Sequence, residues 1–406
     1  MVSSRGREII DLEDKFGAHN YHPLPVVISR GEGVYFWDVD GKKYFDFLSA
    51  YSAVNQGHCH PRIVDSLVDQ ARRLTLTSRA FYNDSLGDFE KYITSYFGYD
   101  KVLAMNTGAE AVETALKLAR KWGYKVKGIP QNEAKIVICD DNFHGRTITI
   151  ISMSTDPTAF NDYGPYTPGF VKIPYNNIEA LENALQDSNV AAFLVEPIQG
   201  EAGVFVPDDG FLKKAFDLCK SKNVLFIADE IQTGIARTGK LLAVDHEEVR
   251  PDIVILGKAL SGGVFPVSAV LADDEIMLTI QPGEHGSTYG GNPIAARVAI
   301  TALEVVRDEK LAERAEELGQ IFRAELAKIE SPLIELIRGK GLLNAAVIKP
   351  TKGKEAWDVC LKMRDFGLLA KPTHGHIIRF APPLIITKNQ ILDSVEIIAK
   401  ALKSFE

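Results

Sequence analysis

Lys258 stands in the run LGKALSGG, with an apolar stretch before it and small residues after it. Such surroundings strip water from an ammonium, lower its pKa and leave a usable nucleophile. Other chemically able side chains share its placement just after a short apolar run. Met105 leads into Asn106, Thr107, Gly108, Ala109 and Glu110, a small-residue turn opening a helix whose first N–H groups can hold a phosphate. Cys139 leads to Phe143, His144 and Arg146, Val195 to Glu196, Gln199 and Glu201, and Ala228 to Asp229, Glu230 and Gln232. Each group alone is more often a helix cap, a surface turn or a solvated charge than a functional residue. Together they describe one edge of a sheet where a nucleophile, carboxylates and an anion cradle meet, because open α/β sheets bind ligands outside the carboxyl ends of their strands.

The elements that must position them are legible in the same stretch. The runs VLAM from residue 102, KIVIC from 135, FVKI from 170, AAFLVE from 191, VLFIAD from 224 and DIVILG from 252 are separated by helical stretches. That alternation predicts a mostly parallel central sheet with flanking helices. Upstream, Val34 to Phe47 (VYFWDVDGKKYFDF) forms two aromatic-rich runs around Asp40-Gly41, a dipeptide suited to a type I′ hairpin turn. Downstream of Leu311, the amphipathic helix LAERAEELGQIFRAELAKIE precedes two strand candidates, GLLNAAVI and HIIRFAPPL, and a final helix from Lys388. The expected fold is α/β, with a smaller α+β domain built from the C-terminus and an N-terminal antiparallel segment. The expected division is 1–51 for the N-terminal segment, 52–311 for the large domain and 312–406 for the small one.

Length and charge narrow the function classes. The 406 residues carry 46 basic and 54 acidic side chains for a net charge of -8, so no broad positive field exists for nucleic acid or an anionic membrane surface. The longest uncharged stretch, Ala259 to Ala272, is too short and too broken by glycine and proline to span a bilayer. Cys59, Cys139, Cys219 and Cys360 stand far apart, as free thiols in a reducing compartment do. Arg5 and Arg7 are followed by Glu8, Asp11, Glu13 and Asp14, unlike a secretory leader or an acid-poor transit peptide. A cytoplasmic protein is expected, or a mitochondrial matrix protein if a leader has been trimmed. Two decoys fail on chemistry. GIARTGKL has phosphate-loop spacing, but Leu241 replaces the magnesium-ligating Ser or Thr, and the loop does not directly follow its strand. His58-Cys59-His60 lacks a second ligand cluster, so no metal is expected.

The run from Leu225 to Gly263, with an Asp at a strand end, a Gln three residues later and a Lys 29 residues after the Asp, resembles the signature of class III, fold-type I pyridoxal-phosphate aminotransferases. NTGAEAVETALKLAR, NFHGRT, EPIQGEAG and GEHGSTYGGNP fit in the family's order, and FGAHNYHPLPV and FLSAYSAVNQGHCHP resemble its ornithine-using branch. The resemblance implies pyridoxal 5'-phosphate held covalently by Lys258, with Asp229 pairing the pyridine nitrogen so that the ring acts as an electron sink. It also implies Gln232 on the phenolic oxygen, Phe143 on the ring face, and Gly108 and Ala109 on the phosphate. Thr288 would add a phosphate contact from the partner subunit, implying a homodimer or higher homo-oligomer. The implied reaction moves the δ-amine of L-ornithine to 2-oxoglutarate in two half-reactions, a step joining arginine metabolism to proline biosynthesis. Tyr21 and Tyr51 would surround the far end of ornithine, and Arg146 would clamp the distal carboxylate. Arg379 would face the near carboxylate of 2-oxoglutarate, and Glu201 would mask Arg379 while ornithine is bound. N-acetylornithine and 4-aminobutyrate aminotransferases share the cofactor residues and differ only in the substrate pocket. A binding or scaffold protein of the same fold is disfavoured by the intact Lys258, Asp229 and Gln232 set. One departure is Ala236, where the family usually has Gly.

Overall fold

The computed structural model describes residues 2–350 and 354–405. It begins with a helix, Ser4–Phe16, in the acid-rich segment read above only for its charge; the Ser3 hydroxyl caps it by accepting the Gly6 N–H at 3.0 Å. Strands β1 (Ile28–Glu32), β2 (Tyr35–Asp38) and β3 (Lys43–Asp46) follow as an antiparallel sheet. The turn between β2 and β3 is not type I′, because only Gly41, at φ 83°, has left-handed backbone there. The Asp38 carboxylate accepts the Asp40 and Lys42 N–H groups at 3.0 and 2.9 Å, and Gly41 N–H closes on Asp38 O at 3.0 Å. Those bonds favour a three-residue loop with glycine in the left-handed position.

Strands β4 (Lys101–Met105), β5 (Lys135–Cys139), β6 (Phe170–Ile173), β7 (Val190–Val195), β8 (Leu225–Asp229), β9 (Ile253–Leu256) and β10 (Ser268–Ala272) form one seven-stranded sheet in the order β4-β10-β9-β8-β7-β5-β6. Every apolar run named from sequence is a strand of it. β10 was missed: it lies in the uncharged stretch Ala259 to Ala272 and pairs antiparallel with both β4 and β9. An antiparallel neighbour needs no crossover helix, so the strand-helix alternation that exposes the other six conceals this one. β7, β8, β9 and β10 are buried along their whole length, as strands covered on both faces must be. The helix Gly108–Trp122 covers one face through Ala111, Val112, Ala115, Leu116, Leu118, Ala119 and Trp122.

Helix Leu311–Leu326 leads to β11 (Ile334–Lys340), β12 (Leu343–Ile348), β13 (Leu368–Leu369), β14 (Lys371–Thr373) and β15 (Ile377–Phe380), and the chain closes with helix Lys388–Lys403. β11, β12, β15 and β14 form their own antiparallel sheet, whereas β13 adds in parallel to β3, so the two ends of the chain share a sheet. Arg237, from the GIARTGKL decoy, fastens these parts together. Fully buried, it donates to Asn55 Oδ1 and to the carbonyls of Leu342 at 3.0 Å and Pro382 at 2.7 Å. Burial pulls its pKa down to about 9, against the opposing pull of the Asp46 charge. Ala236 beside it has φ 74°, which explains why glycine suits that position.

Candidate active site

The carboxyl ends of the parallel strands deliver their polar residues to one place. Gly108, Ala109, Phe143, His144, Glu196, Glu201, Asp229, Gln232 and Lys258 all line a single cavity of about 210 Å³. Glu230 and Gln199, which also follow strands, turn away from it. Glu230 accepts from the Thr233 hydroxyl and from Val244 N–H at 2.9 Å, and Gln199 donates to Asp140 O at 2.6 Å. Both serve the scaffold.

Lys258 opens the short 3₁₀ turn Lys258–Ser261 with φ 39°, a strained conformation for a residue with a side chain. Removal from water pulls its ammonium below the ordinary lysine value, against the opposing pull of Asp229, Glu196 and Glu201, while Arg379 adds to the lowering. Asp229 accepts the Ile231 N–H at 3.1 Å on one oxygen and pairs with His144 Nδ1 at 2.6 Å through the other. His144 was noted in the sequence without a role, since nothing local reveals a partner 85 residues away. Burial works against its charged form, but the hydrogen bond to Asp229, together with the Asp229 and Glu196 charges, holds its pKa above the ordinary histidine value. Glu196 accepts Phe143 N–H at 3.0 Å, and burial pushes its carboxyl up to about 7. Gln232 has a side-chain oxygen buried without a partner among the described residues. A Cβ on Gly200 would collide with that oxygen, so the glycine of QGEAG makes room for it.

An anion cradle faces the same space. Thr107 and Glu110 form a reciprocal capping box that uses the N–H groups of Thr107 and Glu110, while Glu110 also accepts Asn106 N–H at 3.2 Å. Gly108 and Ala109, between them, line the cavity at the start of a 15-residue helix, where amide donors and the helix dipole favour a phosphate.

Beyond the cavity lies the second group of candidate residues. Arg379, on β15 and 4% exposed, grips Glu201 through two N–O contacts at 2.7 and 3.4 Å, and its guanidinium lies 5.0 Å from the centre of the Tyr51 ring. Tyr51 belongs to a turn, Ser49 to Ser52, in which every residue has positive φ, at roughly 1–2 kcal/mol of strain each. Burial pushes the Tyr51 phenol above its ordinary value, Arg379 opposes this, and Glu201 and Tyr21 add to the rise. Tyr21 itself is exposed and lines neither this cavity nor its neighbour. Arg146 is exposed too, its guanidinium 5.5 Å from the Phe143 ring centre, and lines an adjoining cavity of about 360 Å³ that shares Phe143, His144 and Glu201 with the first. Thr288 is exposed and outside the cavity. Its neighbour Ser287 does the local work, accepting the Tyr289 and Gly290 N–H groups and the Asn106 side-chain amide. His58 and His60 pair with different carboxylates, those of Asp46 and Glu309.

The chain belongs to the class-III aminotransferase family, whose model matches residues 16–402. It is 65% identical over 397 residues to the mitochondrial ornithine aminotransferase of Rattus norvegicus, covering 98% of this chain and 90% of the rat protein. The solved ornithine aminotransferase of Toxoplasma gondii is 52% identical with a TM-score of 0.97, covering 98% of this chain and 94% of the other. The solved acetylornithine aminotransferase of Elizabethkingia anophelis is 61% identical with a TM-score of 0.91, covering 98% and 99%. The protein is a fold-type I transaminase, and its cofactor is pyridoxal 5'-phosphate. The residues present fit that group: a lysine at a strand end, a buried carboxylate, an unpartnered buried amide oxygen, a phenylalanine face and two amide donors at a helix start bound one cavity.

Proposed function

We propose that the protein transfers the δ-amine of L-ornithine to 2-oxoglutarate, giving glutamate 5-semialdehyde, which cyclises to pyrroline-5-carboxylate, and glutamate. The observation that carries this reading is the Arg379–Glu201 pair beneath Tyr51 at the edge of the Lys258 cavity, a carboxylate-binding guanidinium already covered by a carboxylate. When bound, the cofactor supplies an electron sink for the carbon that loses its proton. Lys258 holds the cofactor and, when free, moves the proton at the carbon bearing the substrate amine. Asp229, held in place by the His144 contact, would pair with the pyridine nitrogen and keep it protonated. Gln232 meets the phenolic oxygen, Phe143 covers the ring, and Gly108 and Ala109 donate to the phosphate. Arg146 clamps the distal carboxylate with the fork geometry that lysine lacks.

A substrate panel of ornithine, N-acetylornithine, 4-aminobutyrate and lysine tests the assignment. Ornithine is expected to lead. N-acetylornithine, the substrate class of the Elizabethkingia relative's name, is the second reading, and its turnover above ornithine would replace the first. An inactive scaffold is tested more simply, since the purified protein is expected to be yellow and to bleach with borohydride.

Tyr51 and Tyr21 give a sharper prediction. A Tyr21 hydroxyl suits the α-amine of ornithine, and the Tyr51 ring shapes the pocket over Arg379. Tyr51→Ile is expected to lower ornithine turnover and raise that of 4-aminobutyrate, moving their ratio by about tenfold, the scale of one lost polar contact. Unchanged relative rates would remove Tyr51 from the pocket.

We infer a homodimer or higher homo-oligomer in which Thr288 reaches the partner's phosphate. Support comes from its exposed position, from the local capping by Ser287 rather than Thr288 among the described residues, and from the 57% exposed Tyr289 beside it. Mixing Lys258→Ala chains with Thr288→Ala chains is expected to rebuild one intact site per heterodimer, restoring tight cofactor binding with activity. A mixture no better than its parents would assign Thr288 to its own loop. The division into 1–51, 52–311 and 312–406 is likewise our proposal. Among the described residues no helix is long and apolar enough to cross a membrane. The cytoplasm is our proposed location, with the mitochondrion, which the rat relative's name gives for that protein, as the alternative.

A further inference from the structure

Tyr51 reaches Arg379 from a backbone that turns the disfavoured way for L-residues. Ser49, Ala50, Tyr51 and Ser52 have φ of 50°, 45°, 60° and 76°, and the turn closes through Ala53 N–H to Ser49 O at 2.9 Å and Val54 N–H to Ser49 O at 3.2 Å. No glycine relieves it, and left-handed residues normally occur singly. The buried Ser49 and Ser52 hydroxyls have no hydrogen-bond partner among the described residues, so side-chain bonding does not explain the conformation. What the left hand does produce is direction. In this hand the Tyr51 ring stands with its centre 5.0 Å from the Arg379 guanidinium.

The surroundings hold this hand from both ends. Asp46, 1% exposed, accepts Leu48 N–H at 2.8 Å and Ser49 N–H at 3.0 Å on one oxygen and meets His58 Nε2 at 2.7 Å on the other. Phe47 is bonded to Leu369 O and to Ala381 N–H, both at 2.8 Å, which ties the turn to the strand end that carries Arg379. Downstream, Gln56 donates to Ala259 O at 3.0 Å, the carbonyl next to Lys258.

We propose that the left-handed turn Ser49–Ser52 sets substrate selection by holding Tyr51 against Arg379, with Asp46 as the positioning residue that fixes its hand. The inference rests on the reading of Tyr51 and Arg379 as pocket residues. Ala50 allows a clean test because it is exposed and its replacements remove no packing. Ala50→Gly accepts positive φ freely and is expected to keep the ratio of ornithine to 4-aminobutyrate turnover and to melt no lower than the parent. Ala50→Val resists positive φ and is expected to lower that ratio on the order of tenfold, the scale of one left-handed residue's strain, with cofactor affinity retained. Asp46→Asn, which keeps an acceptor but loses the charge facing His58, is expected to shift the ratio the same way by a smaller factor. In a Tyr51→Ile background neither change should alter the ratio further, since the ring being positioned is gone. A merely structural turn would lower the melting temperature and slow both substrates equally in both backgrounds, overturning the inference. If Tyr51→Ile shifts the ratio and Ala50→Val and Asp46→Asn do not, this inference alone fails. If Tyr51→Ile leaves the ratio unchanged, the pocket reading fails and takes the inference with it.

Discussion

Lys258→Ala is expected to fold, to bind pyridoxal 5'-phosphate and to turn over at least roughly a thousandfold more slowly, the combined scale of a lost nucleophile and a lost proton carrier. The size of the effect follows from the cavity's inventory. Among the residues lining it, only Lys258 carries an amine, and the carboxylates of Asp229, Glu196 and Glu201 cannot replace one in holding an aldehyde. Stability should move little by comparison. Alanine removes an ammonium whose burial already lowers its pKa, so the folded state sheds a desolvation penalty while losing attraction to Asp229, Glu196 and Glu201. The two changes oppose each other. Borohydride provides the direct measurement: it should fix the cofactor to the parent chain at Lys258, visible by mass, and leave the variant unlabelled though loaded. Multiple turnovers at the parent rate in the variant would sink the assignment. A surface lysine would instead change stability by within about 0.5 kcal/mol and leave activity intact.

The parts of the site legible in sequence share a physical signature, an apolar run ending abruptly in polar or small residues. Asp229, Lys258 and Glu196 carry it because a parallel strand buried on both faces must be apolar and its carboxyl end is where the chain leaves the core, and the Gly108-Ala109 turn carries it after β4, an edge strand buried only at its last two residues. β10 hid because an antiparallel insertion breaks the alternation used to find the rest. The Asp40-Gly41 turn was misread because the Asp38 carboxylate, outside the dipeptide, decides its geometry. His144 could be named but not paired with Asp229, a contact made only by tertiary folding. The turn from Ser49 to Ser52 gives no local sign at all. Its residues are ones that avoid positive φ, so its hand is imposed by Asp46 and by flanking strands far away in sequence. Tyr51 was reached through family resemblance, and the backbone that aims it was not.

Glu201→Ala is expected to separate the two half-reactions of one pocket. Ornithine presents one carboxylate, far from its reacting δ-amine, whereas 2-oxoglutarate presents two, one beside the reacting carbonyl. A permanently exposed Arg379 would suit only the keto acid. The ion pair is unequal in a way that favours exchange: the Arg379 side chain is 5% exposed, with Nε unpartnered among the described residues, whereas the Glu201 side chain is 35% exposed. The carboxylate that withdraws is thus the one already near water, and a substrate carboxylate can take its place on the buried guanidinium without leaving that charge bare. Alanine at 201 leaves Arg379 seeking a carboxylate continuously. Glutamate should then compete through its α-amine, and the ornithine half-reaction should slow by on the order of 10- to 100-fold, the scale of leaving one partly screened charge unpaired. Glu201→Gln, which keeps a hydrogen-bond acceptor without the charge, should fall between. Each half-reaction can be followed alone by the absorbance change as the cofactor passes between its aldehyde and amine forms. A static bridge between strand and loop predicts something different, because loosening it would displace Arg379 for both substrates. Equal slowing of the two half-reactions, with a lowered melting temperature, would therefore reduce Glu201 to a structural partner, while slowing confined to ornithine would assign it the masking role.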